Sequence, residues 1–398
     1  MKDRSVVIIG GGIAGSAVAL FLKRAGFSPR LFEAHAFRSD IGGALQVAPN
    51  GMYVLQQLGL AQSLLERGIE GAELCFQNQS GKRLGNISNG PTGMYANPAV
   101  HVARSDLHEA LLQEVQRQGI SIEYSKRLRA ISPVEDGVVA EFEDGARVQG
   151  SFLVGADGIH SKTRQIVFPE APKPAYTGLI TVGGFASGPG LVPADRRERS
   201  QAHMIFGQNG FFGYAYYDRA NPMSVMWWSH LQREVEPKAD DLSELSQLEL
   251  QAQMLERYRG WTEPVELIIR SASRVLWGPV YDVPAIPLWW KNRTVLIGDA
   301  AHAVSPHAGQ GASLALEDAL CLAKRLKGSS IEEAFGLFQS DRKGRVDKIA
   351  AEARKRGDNK RTITPGEARV RDLIISLFLR FRGSRLNEVA YRYQLDWE

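Results

Sequence analysis

Only two cysteines, Cys75 and Cys321, occur among 398 residues. They form no metal-spacing motif and no disulfide framework, which fits a reducing, cytoplasmic setting. No stretch approaches the roughly 20 apolar residues that span a bilayer. The apolar run at residues 6–9 is too short for a signal peptide and ends in glycines. A later run, residues 373–379, covers one or two helical turns and reads as a core helix rather than an anchor. Neither sign of charge dominates, with 48 basic against 44 acidic residues and a net charge of +4. That mixture lacks the basic stripe a nucleic-acid partner requires. No repeat and no low-complexity linker is visible. What is present is ordinary for a soluble globular chain: 44% apolar and 23% charged residues. The length allows two or three packed layers.

The β-branched run at 5–9 predicts a buried parallel strand, broken by Gly10 to Gly12. Apolar spacing predicts a helix over 13–25, and residues 30–32 begin a second strand that ends at Glu33, completing a βαβ unit. Further helices are expected at 49–60 and 105–118, the latter with Ser105-Asp106 as its cap. A hairpin pattern follows, turning at Gly137 and Asp144-Gly145. Residues 152–154 and 294–297 read as further buried strands. Between 171 and 288, short alternating runs punctuated by Pro and Gly predict an antiparallel sheet with a helix near 243–258. A long helix is expected from about 311, and 331–398 reads as mostly helical.

Three strand ends carry chemistry. Gly10-x-Gly12-x-x-Gly15, with Ala14 in the same turn, permits a tight bend, backbone approach to a pyrophosphate and close helix–sheet packing. The helix that follows offers amide donors and a favourable dipole. Glu33 can accept both hydroxyls of an adenosine ribose. The motif alone does not separate NAD from FAD. Asp157-Gly158 ends one later strand and Gly298-Asp299 another. Pro306 and Gly309-Gln310-Gly311-Ala312-Ser313 then open a helix. Asp299 can bind ribityl or ribose hydroxyls. Amides of 309–313 can approach the N1/O2 edge of an isoalloxazine and stabilise the anion of reduced flavin. FAD is the expected cofactor.

With these segments together, the chain resembles the flavoprotein aromatic hydroxylases, the class A monooxygenases, over residues 5 to about 325. Gly43 to Asn50 (GALQVAPN) resembles the salicylate-hydroxylase branch of that group. The resemblance implies an α/β fold: a Rossmann-like FAD-binding domain of the glutathione-reductase type, an inserted, mainly antiparallel β-sheet substrate domain, and a C-terminal helical segment. The expected division is 1–71, 98–170 and 289–330 for FAD, 72–97 and 171–288 for substrate, and 331–398 for the helices. Carried over, Arg104 contacts the flavin or its phosphates. Arg38 is either a second phosphate contact or a surface residue. Gly158 to Arg164 matches a segment serving both FAD and a transient NADPH or NADH. The implied chemistry is reduction of FAD, oxygen addition at flavin C4a, and transfer of OH from the hydroperoxide to an aromatic or polycyclic small molecule. One departure is Ala312-Ser313, where many relatives carry Asn.

The resemblance makes Pro306 and the 309–313 loop one wall of the site. Gln310 either bonds the substrate or acts through its backbone alone. Alternation puts Phe212, Tyr214 and Tyr216 on one face of the inserted sheet, suited either to a flat apolar substrate or to an ordinary core. His203 and His230 lie in that sheet and are either a base for a phenolic substrate or structural. The basic run from Arg342 to Arg361 is interspersed with Asp341, Asp347, Glu352 and Asp358 and reads as a solvated helix face. No metal is expected, and the chain reads as a monomer or weak homodimer. A reductase of the same fold and a non-catalytic flavin-binding protein are the alternatives.

Overall fold

Ser5–Ile9 forms the heart of a six-stranded sheet in a computed structural model of the chain. The structure describes residues 4–36, 43–89, 97–237, 247–358, 362–382 and 388–398. Ser5–Ile9 runs parallel to Phe152–Gly155 on one side and Ser28–Phe32 on the other. Thr294–Leu296 and Ser121–Glu123 extend the sheet in parallel, and Trp290–Lys291 closes one edge antiparallel. Both faces are covered, one by helices and the other by a three-stranded sheet formed by residues 128–150, which explains the uninterrupted apolar runs. Helices Ile13–Arg24 and Gly311–Leu326 pack together over one face, joined by Phe335 and Phe338 of the long helix Ile331–Asp358.

Some boundaries differ from expectation. The helix expected at 49–60 ends at Gln57, and a second short helix, Ala61–Arg67, follows. The helix expected from 105 begins at Arg104. Its N-cap, Ala103, has no side-chain cap, so Ser105-Asp106 is not the cap; Asp106 instead lies in the first turn, where a carboxylate complements the helix dipole. A three-stranded antiparallel sheet, Leu128–Val134, Gly137–Phe142 and Arg147–Gly150, turns at Gly145, whose φ of 85° suits glycine. A smaller sheet joins Ala44–Val47, Ala99–Ala103 and Ile69–Gly71.

The seven-stranded sheet runs in the order Ala272–Asp282, Ala175–Ser187, Ser224–Gln232, Gly210–Tyr216, Gln201–Gly207, Glu73–Asn78, Arg83–Ser88. All pairs are antiparallel except Gln201–Gly207 with Glu73–Asn78. Helices Gln247–Arg257 and Val265–Arg270 cover one face and build a separate core there.

The C-terminal helices depart from expectation in two ways. Arg342 is fully buried and Arg345 nearly so, which overturns the solvated-face reading at those positions. Residues 373–379 lie on helix Pro365–Arg382, but only Leu379 of the run is buried; Leu373 and Ile374 are each 60% exposed. The run is thus mostly a surface stripe, not a core helix. Among the described residues no helix is long and apolar enough to cross a membrane.

Candidate functional site

The glycine-rich turn divides its labour by crowding. A Cβ on Gly10 would lie 2.4 Å from the Ala156 carbonyl oxygen, and its φ is +101°. A Cβ on Gly15 would lie 1.9 Å from the Gly10 carbonyl oxygen. Gly12, by contrast, faces open space at the N-terminus of helix Ile13–Arg24. Two glycines therefore hold the turn against the sheet, and the third leaves room for a phosphate. Glu33 follows strand Ser28–Phe32 and is half-buried. One of its carboxylate oxygens accepts the Gly11 amide at 2.8 Å and the other the His35 amide at 2.9 Å. His108 lies 2.6 Å from the Gly11 carbonyl oxygen, a support with no sequence signature.

The three strand ends meet. Gly10 abuts Ala156 and Asp157, while Gly298 sits against Ala14 and Ala315. Arg164, 2% exposed, binds the segments together: its guanidinium donates to the carbonyls of Ala300 at 2.9 Å and Ile159 at 2.5 Å. Asp157 is occupied within its own loop. It accepts from the Ser161 hydroxyl, the Thr163 amide and the Thr163 hydroxyl, steadying the first turn of helix Lys162–Val167, which Ser161 caps. Asp299 is open to solvent yet closely surrounded by protein. The surrounding protein raises its pKa, while His302, Arg104 and Arg164 pull the other way. Arg104 is exposed, and its amide donates to the Gly43 carbonyl. Arg38 lies outside the described residues.

The 306–313 loop has two sides. Pro306 and Gly309 are exposed, and Gly309 and Gly311 face open space. Gln310 and Ser313 turn inward. The Gln310 side chain is 3% exposed and accepts from Asn50 at 3.0 Å. Its carbonyl oxygen is thus engaged internally, while its amide nitrogen is buried with no partner among the described residues. Ser313 likewise accepts the Ala48 amide at 3.2 Å, so its hydroxyl anchors the loop. Beneath lies a network that sequence reading missed, because Asn50 is over 250 residues from its partners and the arginines sit on a different helix from the acids. Asn50 donates to Glu317, which is ion-paired with Arg342 and Arg345. Arg342 also pairs with Asp318, which accepts from the Gly298 amide and contacts His302 at 2.5 Å. These partners hold Asp318 down at about 2 despite burial.

The inserted sheet corrects the substrate wall. Phe212, Tyr214 and Tyr216 do share a face, but it is the helix-covered one. Phe212 is stacked on Trp227 and edge-on to Tyr258, and it belongs to that core. His203 is on the same side, stacked on Tyr214 at 4.3 Å, and burial lowers its pKa to about 4. His230 lies on the opposite face, bonded to Thr181 and stacked on Phe211. There Ala202, Ala215 and Met226 pack with Ala44 of the segment preceding Asn50. On that side Trp228 and Met204 are half-buried, and the sheet meets the segment before Asn50 at Ala44. No metal-binding cluster occurs among the described residues.

Fold and cleft together define an FAD-binding protein: residues 3–352 match the FAD binding domain family, and the chain belongs to it. Within that family it is a class A flavoprotein monooxygenase, an FAD-dependent oxidoreductase. It is 28% identical to 6-hydroxynicotinate 3-monooxygenase of Bordetella bronchiseptica over 86% of this chain and 89% of that protein. It is 29% identical to 3-amino-4-hydroxybenzoate 2-monooxygenase PtmB3 of Streptomyces platensis, over 98% and 96%. Among solved structures, Klebsiella pneumoniae HpxO complexed with FAD and uric acid shares the fold with a TM-score of 0.85 at 22% identity, covering 98% of this chain and 96% of that one. Tetracycline destructase Tet(51) does so at 0.68 and 20%, covering 96% and 98%.

Proposed function

We propose that this monooxygenase hydroxylates an aromatic or polycyclic small molecule held between the 306–313 loop and the Ala44-facing side of the seven-stranded sheet. The observation that carries this reading is the cleft at the three strand ends, open at Gly12, Asp299, Gly309 and Gly311. The residues present fit FAD: Gly12 leaves space at a helix N-terminus for the pyrophosphate, and Asp299 faces the cleft for a ribityl or ribose hydroxyl. The amides at the start of helix Gly311–Leu326 offer donors to the ring's electron-rich edge. When bound, FAD accepts electrons from NADH or NADPH and activates dioxygen.

The chain's own residues hold and shield. Arg164 fixes the Asp299 turn, and Asn50 with Ser313 fixes the loop, so the donors stay aimed without reorganising. The apolar sheet face excludes water from the reacting centre. Residues 72–97 and 171–288 supply the substrate domain, and residues 1–71, 98–170 and 289–330 the FAD domain. The relatives act on hydroxylated pyridine and benzene rings, which supports an aromatic substrate. A screen of phenols, hydroxypyridines and polycyclic compounds tests this, following NADH and NADPH oxidation together with product mass. A substrate-dependent gain of one oxygen atom is expected; peroxide release with every compound argues against the proposal.

A further inference from the structure

The four central strands of the seven-stranded sheet, Ala175–Ser187, Gln201–Gly207, Gly210–Tyr216 and Ser224–Gln232, carry no Lys, Arg, Asp or Glu. Their Ala44-facing side is an aromatic plate. Phe206 meets Phe211 at 5.2 Å between ring centres, and Phe211 meets Trp228 at 6.5 Å and His230 at 6.0 Å. Trp228 is placed differently from its neighbours. Its indole lies against Gly213, where an added Cβ would come within 2.4 Å of the ring, and the residue is only half-buried while Phe211 is fully buried. Gly213 thus makes a seat, and Trp228 presents a ring above the plate. Met204, half-buried, lies across from Gly213 on the adjacent strand.

Described cations that approach this face are held elsewhere or sit at its rim. Arg371 stands over Phe206 at the far end, bonded to the Gly207 carbonyl and to Asp372. Arg274 is exposed on the outer strand opposite Phe185. Arg104 lies at the cleft, within electrostatic reach of Asp299. A carboxylate placed against the plate would lose its hydration and gain no cation on the plate among the described residues. An uncharged ring system would lose nothing and gain stacking on the indole.

We infer that Trp228 is the platform on which the substrate's rings pack, and that this wall selects uncharged, largely apolar ring systems over aromatic carboxylates. The inference rests on the reading of this face as the substrate wall. It separates the chain from its nicotinate- and benzoate-directed relatives at the level of substrate class.

The test uses the FAD-loaded enzyme and a matched pair of probes, 1-naphthol and 1-hydroxy-2-naphthoate, titrated by the change in flavin absorbance. Naphthol is expected to bind at least about tenfold more tightly. Trp228→Ala should weaken naphthol by about tenfold and Trp228→Phe by much less, at unchanged FAD content. Met204→Arg puts a cation on the same face and should reverse the preference toward the naphthoate, which keeps the test alive if the alanine variant does not fold. Equal or tighter naphthoate binding by the wild type, or naphthol binding indifferent to Trp228, overturns the inference. Binding requires no turnover. Tight naphthol binding without any oxygenated product would count against the hydroxylation reading and leave the platform standing.

Discussion

At the scale of single residues, the glycine turn separates packing from ligand space. Gly12→Val is expected to leave the apoprotein's unfolding free energy within about 1 kcal/mol of wild type, since no atom lies within 4 Å of the added Cβ and φ there is −74°. The same variant should retain no FAD on gel filtration; normal flavin content would refute the placement of the pyrophosphate. Gly15→Ala should lose fold and flavin together, because its Cβ meets the Gly10 carbonyl. Buried His101 and His203 make a second prediction. Burial lowers both from 6.5 to about 4, so each stays neutral in the fold while the unfolded chain takes up a proton near 6.5. The unfolded state then binds more protons between those values, so stability falls with falling pH across that window, by at most about 1.4 kcal/mol per pH unit for each histidine. Urea midpoints measured from pH 7 to pH 4 check this, and a flat profile contradicts it. The glycines were legible in sequence because their constraints are local. Phe212, Tyr214 and Tyr216 could not be divided between pocket and core from sequence, because alternation assigns residues to the same face without saying what covers that face.

At the scale of elements, helix Ile331–Asp358 reaches the buried acids of the flavin-binding half through Arg342, with Arg345 beside it. Arg342 neutralises both Glu317 and Asp318, neither exposed to solvent, and Asp318 in turn holds the Gly298 amide. Arg342→Leu leaves two buried carboxylates short of a partner and should cost about 3–5 kcal/mol in denaturant unfolding. FAD affinity should drop with it, since the Gly298-Asp299 turn loses its anchor; a variant as stable as wild type would show that the network is incidental. In sequence, Arg342 sits amid alternating charges and reads as surface. Charge pattern along one helix reports nothing about a partner helix, and only the packing of Gly311–Leu326 against Ile331–Asp358 turns that side chain inward.

At the scale of the whole molecule, the cleft is assembled from segments that begin near residues 10, 157, 298 and 309. A ligand that touches all of them stabilises the fold by mass action. FAD at about one hundred times its Kd should add about 2.7 kcal/mol to apoprotein stability, seen as a single cooperative shift in thermal unfolding. No shift would mean that FAD does not bridge these segments. Short-range rules determined much of this protein from its sequence: the βαβ unit, the glycine turn, the strand ends that bear Asp157 and Asp299, and hence the flavin-binding class. Backbone geometry within a few residues is enough to specify each of those. The tertiary structure alone decided which face of the inserted sheet helices Gln247–Arg257 and Val265–Arg270 would cover, that Gln310 would turn toward Asn50, and that Arg342 would be buried. Those outcomes depend on surfaces brought together from distant parts of the chain, where burial and desolvation, rather than local pattern, set the lowest free energy.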